Sequence, residues 1–470
     1  MQYGNGEQMK LVSSDQGSES RQFAEFFTAL SERDLPEQIF DRALDSLIDS
    51  VGCGLFGATQ SWSQMIAANT LAESAPGRCT LLGRGEQLAP APAALVNGTS
   101  MHGFELDDLI SEAIAHPGTV VVPAALAVAE HANTSGLRLL LGIIAGYETL
   151  ARVSVALGME TPHRGFHMTG VVGPVAAAVA AGVTLGFTPD KLLAAIGLAC
   201  SASSGIRAFA GGSGGGMVKR LHAGRSAEAG VRMCQLAARG FTGPSAALDG
   251  KFGLLETFSG KSARPARLTE NIGNSWAINE VWVKVYPICG GIQSTVELLQ
   301  RLRGAAPLSV DEVKKVRIGV SSYAVRNNGD PIPLDTMAAQ YSIPYCAAVA
   351  LLGDPRDPDV FSENAIGSAA TQTLIGKIEL YADEKADATH PKQRGANVEL
   401  HLANGELRKA SIPEAHGTPS DPCTKAEIEA KFRQLARAAK SAVAIDRILA
   451  AARELRKLPS IEPLSQALRA

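Results

Sequence analysis

The chain has 470 residues, with 44 Lys and Arg against 47 Asp and Glu, and a formal net charge of -3 at pH 7. This near-neutral balance gives no global positive field of the kind that binds phosphate backbones, so nucleic acid is excluded as an expected partner. The length exceeds what one ordinary hydrophobic core supports, and we expect two domains or one domain with a large insertion.

Three features of the sequence narrow the class of protein further. Seven cysteines are scattered along the chain with no CxxC pair, so a disulfide framework and a structural zinc site both lose support. The longest apolar stretch, 171–187, contains Pro174 and many Ala and Gly residues, which favours a buried core helix over a membrane span. Residues 1–20 are polar and lack an apolar segment of signal-peptide length, which predicts a disordered tail on a cytoplasmic protein.

Helical periodicity begins at Phe23 and dominates as far as residue 270. The helices predicted from it cover residues 40–48, 91–97, 121–132, 137–157, 170–185, 189–202 and 222–239. Between residues 271 and 410 the pattern changes to alternation, which is typical of strands. The strands predicted there cover residues 281–286, 316–320, 398–402 and 406–410. The last two flank Asn404-Gly405, and we expect a hairpin whose two turn residues both have positive φ.

Helical patterns return after Pro422, where Thr424 and Glu427 have the spacing of a capping box. The predicted fold class is therefore mostly α with an inserted α+β domain. A large all-helical domain is expected over 21–270 and 411–470, and a smaller α+β lid domain over 271–410. The junction of the two domains is the expected place for a ligand cleft.

The first segment with chemical potential runs from His102 through Glu105, Asp107 and Asp108 to His116. Carboxylates flanked by histidines suit general acid/base catalysis or an oxygen-rich metal site, and they also suit a solvated acidic turn. No ligand pair has a spacing diagnostic of a metal site, so we expect no metal.

The second segment contains His163 and His167, which are four residues apart as in zinc proteases. Arg164 replaces the glutamate that such a site needs, and Gly165 weakens the helix that would align the two rings, so a zinc protease is excluded. His167 directly precedes the long apolar stretch. It is a candidate polar group in a cleft, or else a satisfied core histidine.

The third segment is the glycine-rich run 211–216, followed by Lys219, His222 and Arg225. No phosphate-loop pattern fits, because Met217 stands where a Lys or a Gly would be required. Cations at a helix start suit carboxylate binding, and a hinge loop with a solvated basic turn is the alternative.

The fourth segment places Lys284 on a predicted strand and Cys289 after a proline turn. Cys289 would need a partnered base to act as a nucleophile, and an inert buried cysteine is the alternative.

Taken in order, these segments resemble the MmgE/PrpD family, whose members include 2-methylcitrate dehydratase, cis-aconitate decarboxylase and iminodisuccinate epimerase. The resemblance extends from about residue 20 to the C-terminus. The motifs that carry it are Asn97-Gly98 with His102-Gly-Phe-Glu-Leu-Asp-Asp108, His116-Pro-Gly-Thr-Val-Val-Val-Pro-Ala-Ala125, Phe166-His167 with Gly170-Val-Val-Gly173, Lys219-Arg-Leu-His-Ala-Gly-Arg-Ser-Ala227, Lys284-Val-Tyr-Pro287 and Tyr341-Ser-Ile-Pro-Tyr345. It implies a helical domain built from both ends of the chain, an inserted lid and a homodimer.

By position, the resemblance implies a cofactor-independent pocket lined by Glu105, His116, His167, Lys219, Lys284 and Cys289. Three positions depart from the pattern of the decarboxylases and dehydratases. Glu105 stands where those relatives usually have Asp, Leu109 stands where they have Thr, and Cys289 stands where the decarboxylases have His.

The implied chemistry passes through proton transfer at a carbon α to a carboxylate, which requires a base and cations that stabilise the developing charge. The catalytic candidates are His167, His116, Glu105, Asp108 and Lys219. The substrate-binding candidates are Lys284, Arg225, Cys289 and His222. We expect a small anionic carboxylic acid as substrate, with no membrane partner.

The expected function is a lyase acting on a small di- or tricarboxylic acid. A hydro-lyase similar to 2-methylcitrate dehydratase stands ahead of a carboxy-lyase similar to cis-aconitate decarboxylase. An epimerase or isomerase of a substituted succinate is an alternative. A non-catalytic binding protein is a further one, and Leu109 and Cys289 are its support.

Overall fold

A computed structural model describes residues 18–210 and 215–470. It is 60% helical with 9% strand, which confirms the predicted fold class of a mostly α protein with a smaller α+β portion. The helices are α1 (Glu19–Ala29), α2 (Glu37–Gly57), α3 (Ser61–Glu73), α4 (Pro90–Met101), α5 (Gly118–Ala132), α6 (Gly136–Leu157), α7 (Glu160–His163), α8 (Met168–Thr184), α9 (Pro189–Cys200), α10 (Met217–Ala238), α11 (Leu254–Ser259), α12 (Gln293–Arg303), α13 (Ser322–Asn328), α14 (Thr336–Tyr341), α15 (Ile343–Leu352), α16 (Glu363–Ile366), α17 (Ala369–Ile375), α18 (Glu384–Thr389), α19 (Lys425–Ala436), α20 (Ala442–Arg453) and α21 (Glu462–Arg469).

Short strands complete the secondary structure. They are β1 (Pro76–Thr80), β2 (Gln87–Leu88), β3 (Leu109–Ile110), β4 (Val281–Trp282), β5 (Val313–Val320), β6 (Ile378–Ala382), β7 (Ala396–Leu402) and β8 (Leu407–Ile412). Of the predicted tail, residues 1–17 lie outside the described residues, as does 211–214 of the glycine-rich run. The chain is helical from Glu19 onward, because the Ser18 side chain caps α1 by accepting the Arg21 N–H.

The centre of the helical domain is α8, all of whose residues are buried. Small side chains let its neighbours come close: a Cβ atom added at Gly230 of α10 would lie 2.3 Å from the Ala177 Cβ of α8. The interpretation of the 171–187 stretch as a buried core helix is therefore confirmed. Among the described helices, only α6 is long and apolar enough to span a membrane, and 94% of its apolar window is buried inside the fold.

Pro174 ties α8 to a neighbouring segment. Proline has no N–H, so the Gly170 carbonyl one turn earlier has no helical partner. The Ser204 N–H donates to that carbonyl at 3.3 Å, and the His167 N–H donates to the Gly205 carbonyl at 3.0 Å. The segment around Ser204 is thereby fastened across the start of α8, beside His167.

The lid contains a four-stranded sheet in the order β6-β5-β7-β8, in which β5 and β6 are parallel and the other pairs are antiparallel. Helix α12 packs on β7 and on α15. Alternate residues of β7 are fully buried, as the sequence pattern predicts. The β7–β8 hairpin is confirmed, but of its two turn residues only Gly405 has a positive φ, of 91°. The Gly405 N–H donates to the Leu402 carbonyl, which is the arrangement of a three-residue loop with a bulge.

The strand predicted over 281–286 is wrong beyond Trp282. Only Val281–Trp282 forms a strand, pairing with Leu109–Ile110. The Val283 N–H instead donates to the Gly417 carbonyl, and Pro287 has no N–H to extend a ladder. The alternation arises because Val281, Val283 and Val285 all pack against the hydrophobic core of the helical domain.

The C-terminal helices return to the helical domain. The Thr424 and Glu427 side chains form the predicted capping box at the start of α19. Helix α19 then packs along α2, where Phe432 meets Gly52. The Lys431 ammonium donates to the Leu106 carbonyl at 2.7 Å, so the C-terminal segment also supports the loop that carries Glu105 and Asp107.

Candidate active site

A cleft of about 1070 Å³, including its solvent-open part, lies where the helical domain meets the lid. Polar and charged side chains of both domains line it. Those from the helical domain are Glu105, His116, His167, Arg207 and Lys219, and those from the lid segment are Ser321, Tyr323, Asn327, Asn328, Tyr341, His390 and Arg394, with Cys289 between them.

Helix ends converge on the helical wall of this cleft. His116 lies one residue before Pro117, the N-cap residue of α5; His167 is the N-cap residue of α8, and Lys219 lies in the first turn of α10. Helix N-termini carry a partial positive charge and unsatisfied N–H groups, so their convergence favours an anionic ligand.

Glu105 lies between two lysines. The Lys219 ammonium donates to one carboxylate oxygen of Glu105. The Lys284 ammonium donates to the Glu105 carbonyl at 3.2 Å and to the other carboxylate oxygen at 3.4 Å. Burial alone would raise the pKa of Glu105, but the two ammonium charges hold that pKa below its usual range. Glu105 is therefore an ionised carboxylate, and its φ of 59° places it in the left-handed region that side chains rarely adopt.

The two lysines differ in their surroundings. Lys219 lines the cleft, and burial lowers its pKa in spite of the adjacent Glu105 carboxylate. Lys284 is completely buried; burial alone would lower its pKa, but Asp107 and Glu105 together raise it. Lys219 is therefore the more acidic ammonium and the better placed to give a proton to a ligand, while Lys284 remains charged behind Glu105.

Asp107 holds two histidines. One of its carboxylate oxygens lies 3.0 Å from His102 Nδ1 and 2.7 Å from His116 Nδ1. Burial alone would raise the pKa of Asp107, but its histidine and lysine neighbours hold that pKa well below its usual range. Burial lowers the pKa of His116 and lowers that of His102 to about 3. Nδ1 of His116 also lies 3.0 Å from the Asp108 carbonyl oxygen, so it is engaged by Asp107 and Asp108, and Nε2 is the nitrogen left for a ligand in the cleft.

Within residues 18–210 and 215–470, two groups of side chains have ligand atoms close enough together to hold a metal ion. They are His102, Asp107 and His116 in the cluster, and His416, Cys423 and Glu427 near the surface. In the first group the nitrogen–oxygen distances are those of ordinary hydrogen bonds. Hydrogen bonding to Asp107 therefore accounts for this geometry.

His167 and His222 form a second histidine pair, with their Nδ1 atoms 3.0 Å apart. Burial, followed by the nearby Lys219 charge, lowers the pKa of both rings. The pair is consequently neutral, with one Nδ1 donating and the other accepting. His167 lines the cleft and His222 stands behind it.

Two sequence candidates lie elsewhere. Asp108 does not line the cleft: it accepts hydrogen bonds from the Tyr147 hydroxyl at 2.6 Å and from the Gly118 N–H at 2.8 Å. Burial raises the pKa of Asp108 to about 7. Arg225 has 62% of its side chain exposed and pairs with Glu228 on the outside of α10, so the structure does not bring it to the cleft.

Helical geometry predicts that Arg225 and Lys219 point in different directions from α10. At about 100° per residue, six residues rotate a side chain to roughly 120° from its starting direction, whereas the three residues between Lys219 and His222 leave them on one side. Sequence patterns do not indicate the cleft residues Arg207 and Arg394, because each is an isolated arginine outside any recognisable motif. Tyr341 stands in a motif, yet nothing in its spacing marks it as a site residue. Its ring lies 5.2 Å from the Lys219 ammonium.

The structure thus combines a large helical part with a smaller α+β part, and histidines and a lysine line the cleft where the two meet. The chain belongs to the MmgE/PrpD family. Residues 21–266 match the MmgE/PrpD N-terminal domain and residues 286–456 match the C-terminal domain.

Curated relatives cover most of the chain. A cis-aconitate decarboxylase-like protein of Aspergillus oryzae is 29% identical over 447 residues, which are 90% of this chain and 92% of that protein. A cis-aconitate decarboxylase of Aspergillus terreus is 28% identical over 461 residues, 93% of each chain. The Homo sapiens cis-aconitate decarboxylase is 26% identical over 426 residues, 87% of this chain and 86% of that protein.

Proposed function

We propose that this protein is a lyase that removes carbon dioxide from a small unsaturated di- or tricarboxylic acid similar to cis-aconitate. The observation that carries the proposal is the placement of His116, His167 and Lys219 on one wall of a cleft whose helix N-termini favour anions. The names of the relatives support a carboxy-lyase, which now stands ahead of the hydro-lyase favoured by the sequence. We also propose that the protein is a cytoplasmic homodimer and that it works without a cofactor.

Decarboxylation of such an acid leaves an electron pair at the carbon that loses carbon dioxide. An adjacent C=C bond accepts that pair by shifting one position, and a proton must then be added to the far alkene carbon. Lys219 suits this step, since burial lowers its pKa and it lines the cleft. His167, neutral and positioned by His222, is the second group able to hold or move the proton.

Loss of water is the second candidate reaction, and the presence of two separate histidine pairs favours it. Dehydration of a hydroxy acid needs a base for the α-proton and an acid for the leaving hydroxide. His167 with His222 and His116 with Asp107 provide two such groups in one cleft. The departures at Glu105, Leu109 and Cys289 are consistent with a substrate other than cis-aconitate itself. Epimerisation uses the same α-proton transfer without loss of a group.

Proton NMR in deuterium oxide distinguishes these reactions in one experiment. The purified protein is incubated with cis-aconitate, citrate, 2-methylcitrate and substituted succinates, with a protein-free sample of each acid as the blank. Decarboxylation yields a product with one carbon fewer and deuterium at a former alkene carbon. Dehydration yields an alkene with all carbons retained, detected as a new alkene proton from citrate and as the signal of a methyl group on a double bond from 2-methylcitrate. Epimerisation yields deuterium exchange in recovered substrate. Identical spectra for protein and blank on every acid would overturn the proposed function.

A further inference from the structure

Two buried lysines and two buried carboxylates lie together at the inner end of the cleft, so their charges balance. Lys219 and Lys284 both pair with Glu105, and the charge of Asp107 also acts on Lys284. Paired charges of this kind attract an additional anion far less than an unpaired cation does. The two lysines therefore leave little surplus positive charge for the carboxylates of a substrate.

Two arginines of the same cleft are in a different situation. Arg207 comes from the helical domain and Arg394 from the lid, and both line the cavity. Within the described ranges 18–210 and 215–470, neither has a carboxylate within 4.0 Å. Arg207 lies over the Tyr323 ring at 5.9 Å, and the Arg394 Nε atom is buried without a hydrogen-bond partner.

Arg394 is held in place by its backbone. The Ser294 hydroxyl, on the first turn of α12, donates to the Arg394 carbonyl at 2.7 Å. A Cβ atom added at Gly290 would lie 3.4 Å from a terminal nitrogen of Arg394, so the guanidinium lies next to Gly290 and hence near Cys289. Arg394 is half-buried and an arginine stays protonated there, so a charge without a carboxylate partner in such a place costs free energy. A site that keeps one is expected to bind an anion there.

We infer that Arg394 is a substrate-binding residue that pairs with a second carboxylate of the ligand, with Arg207 on the opposite wall. The guanidinium fork matches a carboxylate in two parallel hydrogen bonds. The reacting end of the ligand then lies at His116, His167 and Lys219, and its other carboxylate lies under the lid. The cleft consequently selects acids with at least two carboxylates over monocarboxylic acids of similar size. The chemical class of the ligand in this inference rests on the proposed function, whereas the choice of Arg394 rests on the geometry of the cleft.

Calorimetric titration with tricarballylate, a saturated tricarboxylate, tests the inference without requiring turnover. Arg394→Gln should weaken its binding by roughly 10- to 100-fold, the range for hydrogen bonds to a charged group, and leave the weak binding of butyrate unchanged. The tricarballylate affinity of Arg394→Lys should fall between those of the unmodified protein and Arg394→Gln, because lysine keeps the positive charge but lacks the planar guanidinium that makes two parallel hydrogen bonds. Arg356→Gln removes an exposed lid arginine paired with Asp354 and serves as the matched control, with binding as in the unmodified protein.

The outcomes separate this inference from the proposed function. Equal tricarballylate affinity in Arg394→Gln and the unmodified protein overturns the role of Arg394, whatever reaction the protein catalyses. If tricarballylate affinity depends on Arg394 but the protein turns over none of the acids, the binding role of Arg394 is supported and the proposed lyase function is overturned. Should Arg394→Gln fail to fold, as judged by circular dichroism, the comparison of Arg394→Lys with Arg356→Gln decides: equal affinity overturns the role.

Discussion

His167 Nδ1 lies 3.0 Å from His222 Nδ1, so one proton is shared along that line and the two rings depend on each other. In a neutral imidazole the nitrogen that accepts a hydrogen bond leaves the proton on the other nitrogen. Since Nδ1 of His167 faces His222, His222 thereby determines whether the other ring nitrogen of His167, Nε2, carries a proton. This makes His222 a positioning residue for a proposed acid/base group.

Replacing His222 should therefore slow turnover through His167. His222→Ala is expected to lower kcat with little change in KM, because the substrate contacts lie on the cleft side. His222→Asn places an amide close to the former Nδ1 and should recover part of that loss. The kcat and KM values of the two variants provide the measurement. If kcat of His222→Asn is no higher than that of His222→Ala, His222 has a packing role only.

His167→Ala should lower kcat by at least ~10²-fold, the lower figure for a general acid or base. The variant should remain folded, since the α8 N-cap site tolerates a small residue and the backbone contacts of His167 persist. His163→Ala, at an exposed histidine four residues earlier, is the control and should retain full activity. Near-normal kcat in folded His167→Ala would remove His167 from the mechanism.

Glu105→Gln should destabilise the fold strongly. It leaves two buried ammonium groups without their shared carboxylate, and breaking a buried ion pair from one side costs about 3–5 kcal/mol. The free energy of unfolding in urea is the measurement. Glu379→Gln breaks an exposed pair with Lys315 and should change that free energy far less. Equal effects of the two substitutions would contradict the buried, charge-paired state of Glu105.

Asp108 should make the protein less stable as pH rises from about 4 to about 7. Burial raises the pKa of Asp108 in the folded state to about 7, against 3.8 for an unperturbed aspartate, so the folded state keeps a proton that the unfolded state has lost. Stability from this group is complete below the unfolded pKa and declines by up to about 1.4 kcal/mol per pH unit until the folded pKa is reached.

Asp108→Asn removes that titration while keeping a polar group beside Tyr147. Urea unfolding of both proteins between pH 4 and 7 measures the difference. The stability of the unmodified protein should fall relative to Asp108→Asn across this interval. A constant or rising difference would contradict a protonated Asp108 in the folded state.

Cys289 should react with iodoacetamide, and a polycarboxylate ligand should block the reaction. It is one of two half-buried cysteines, and it lines the cleft, while the other five are buried. Cys200, the second half-buried cysteine, lies at the end of α9 away from the cleft and serves as the internal control. Peptide mass spectrometry with and without tricarballylate measures both sites. Protection of Cys200 alone, or of neither residue, would place the ligand elsewhere.

The sequence by itself determined the helices of the core, the α19 capping box and the β7–β8 hairpin. These depend on periodicity and on turn or cap residues within a few positions of each other, which are visible in the chain. The cleft residues His116, His167 and Lys219 also stood in recognisable motifs, because each of these motifs lies at a helix end or in the loop beside it.

Only the tertiary structure decided which of those groups meet. Glu105 acquires its lysine partners from positions more than 100 residues away. Asp108 turned inward to Tyr147, and Arg225 turned outward to Glu228. Arg207 and Arg394 became neighbours of one cavity through the packing of the lid on the helical domain. Burial, charge pairing and cleft exposure are properties of distant segments brought together, and local sequence patterns do not contain them.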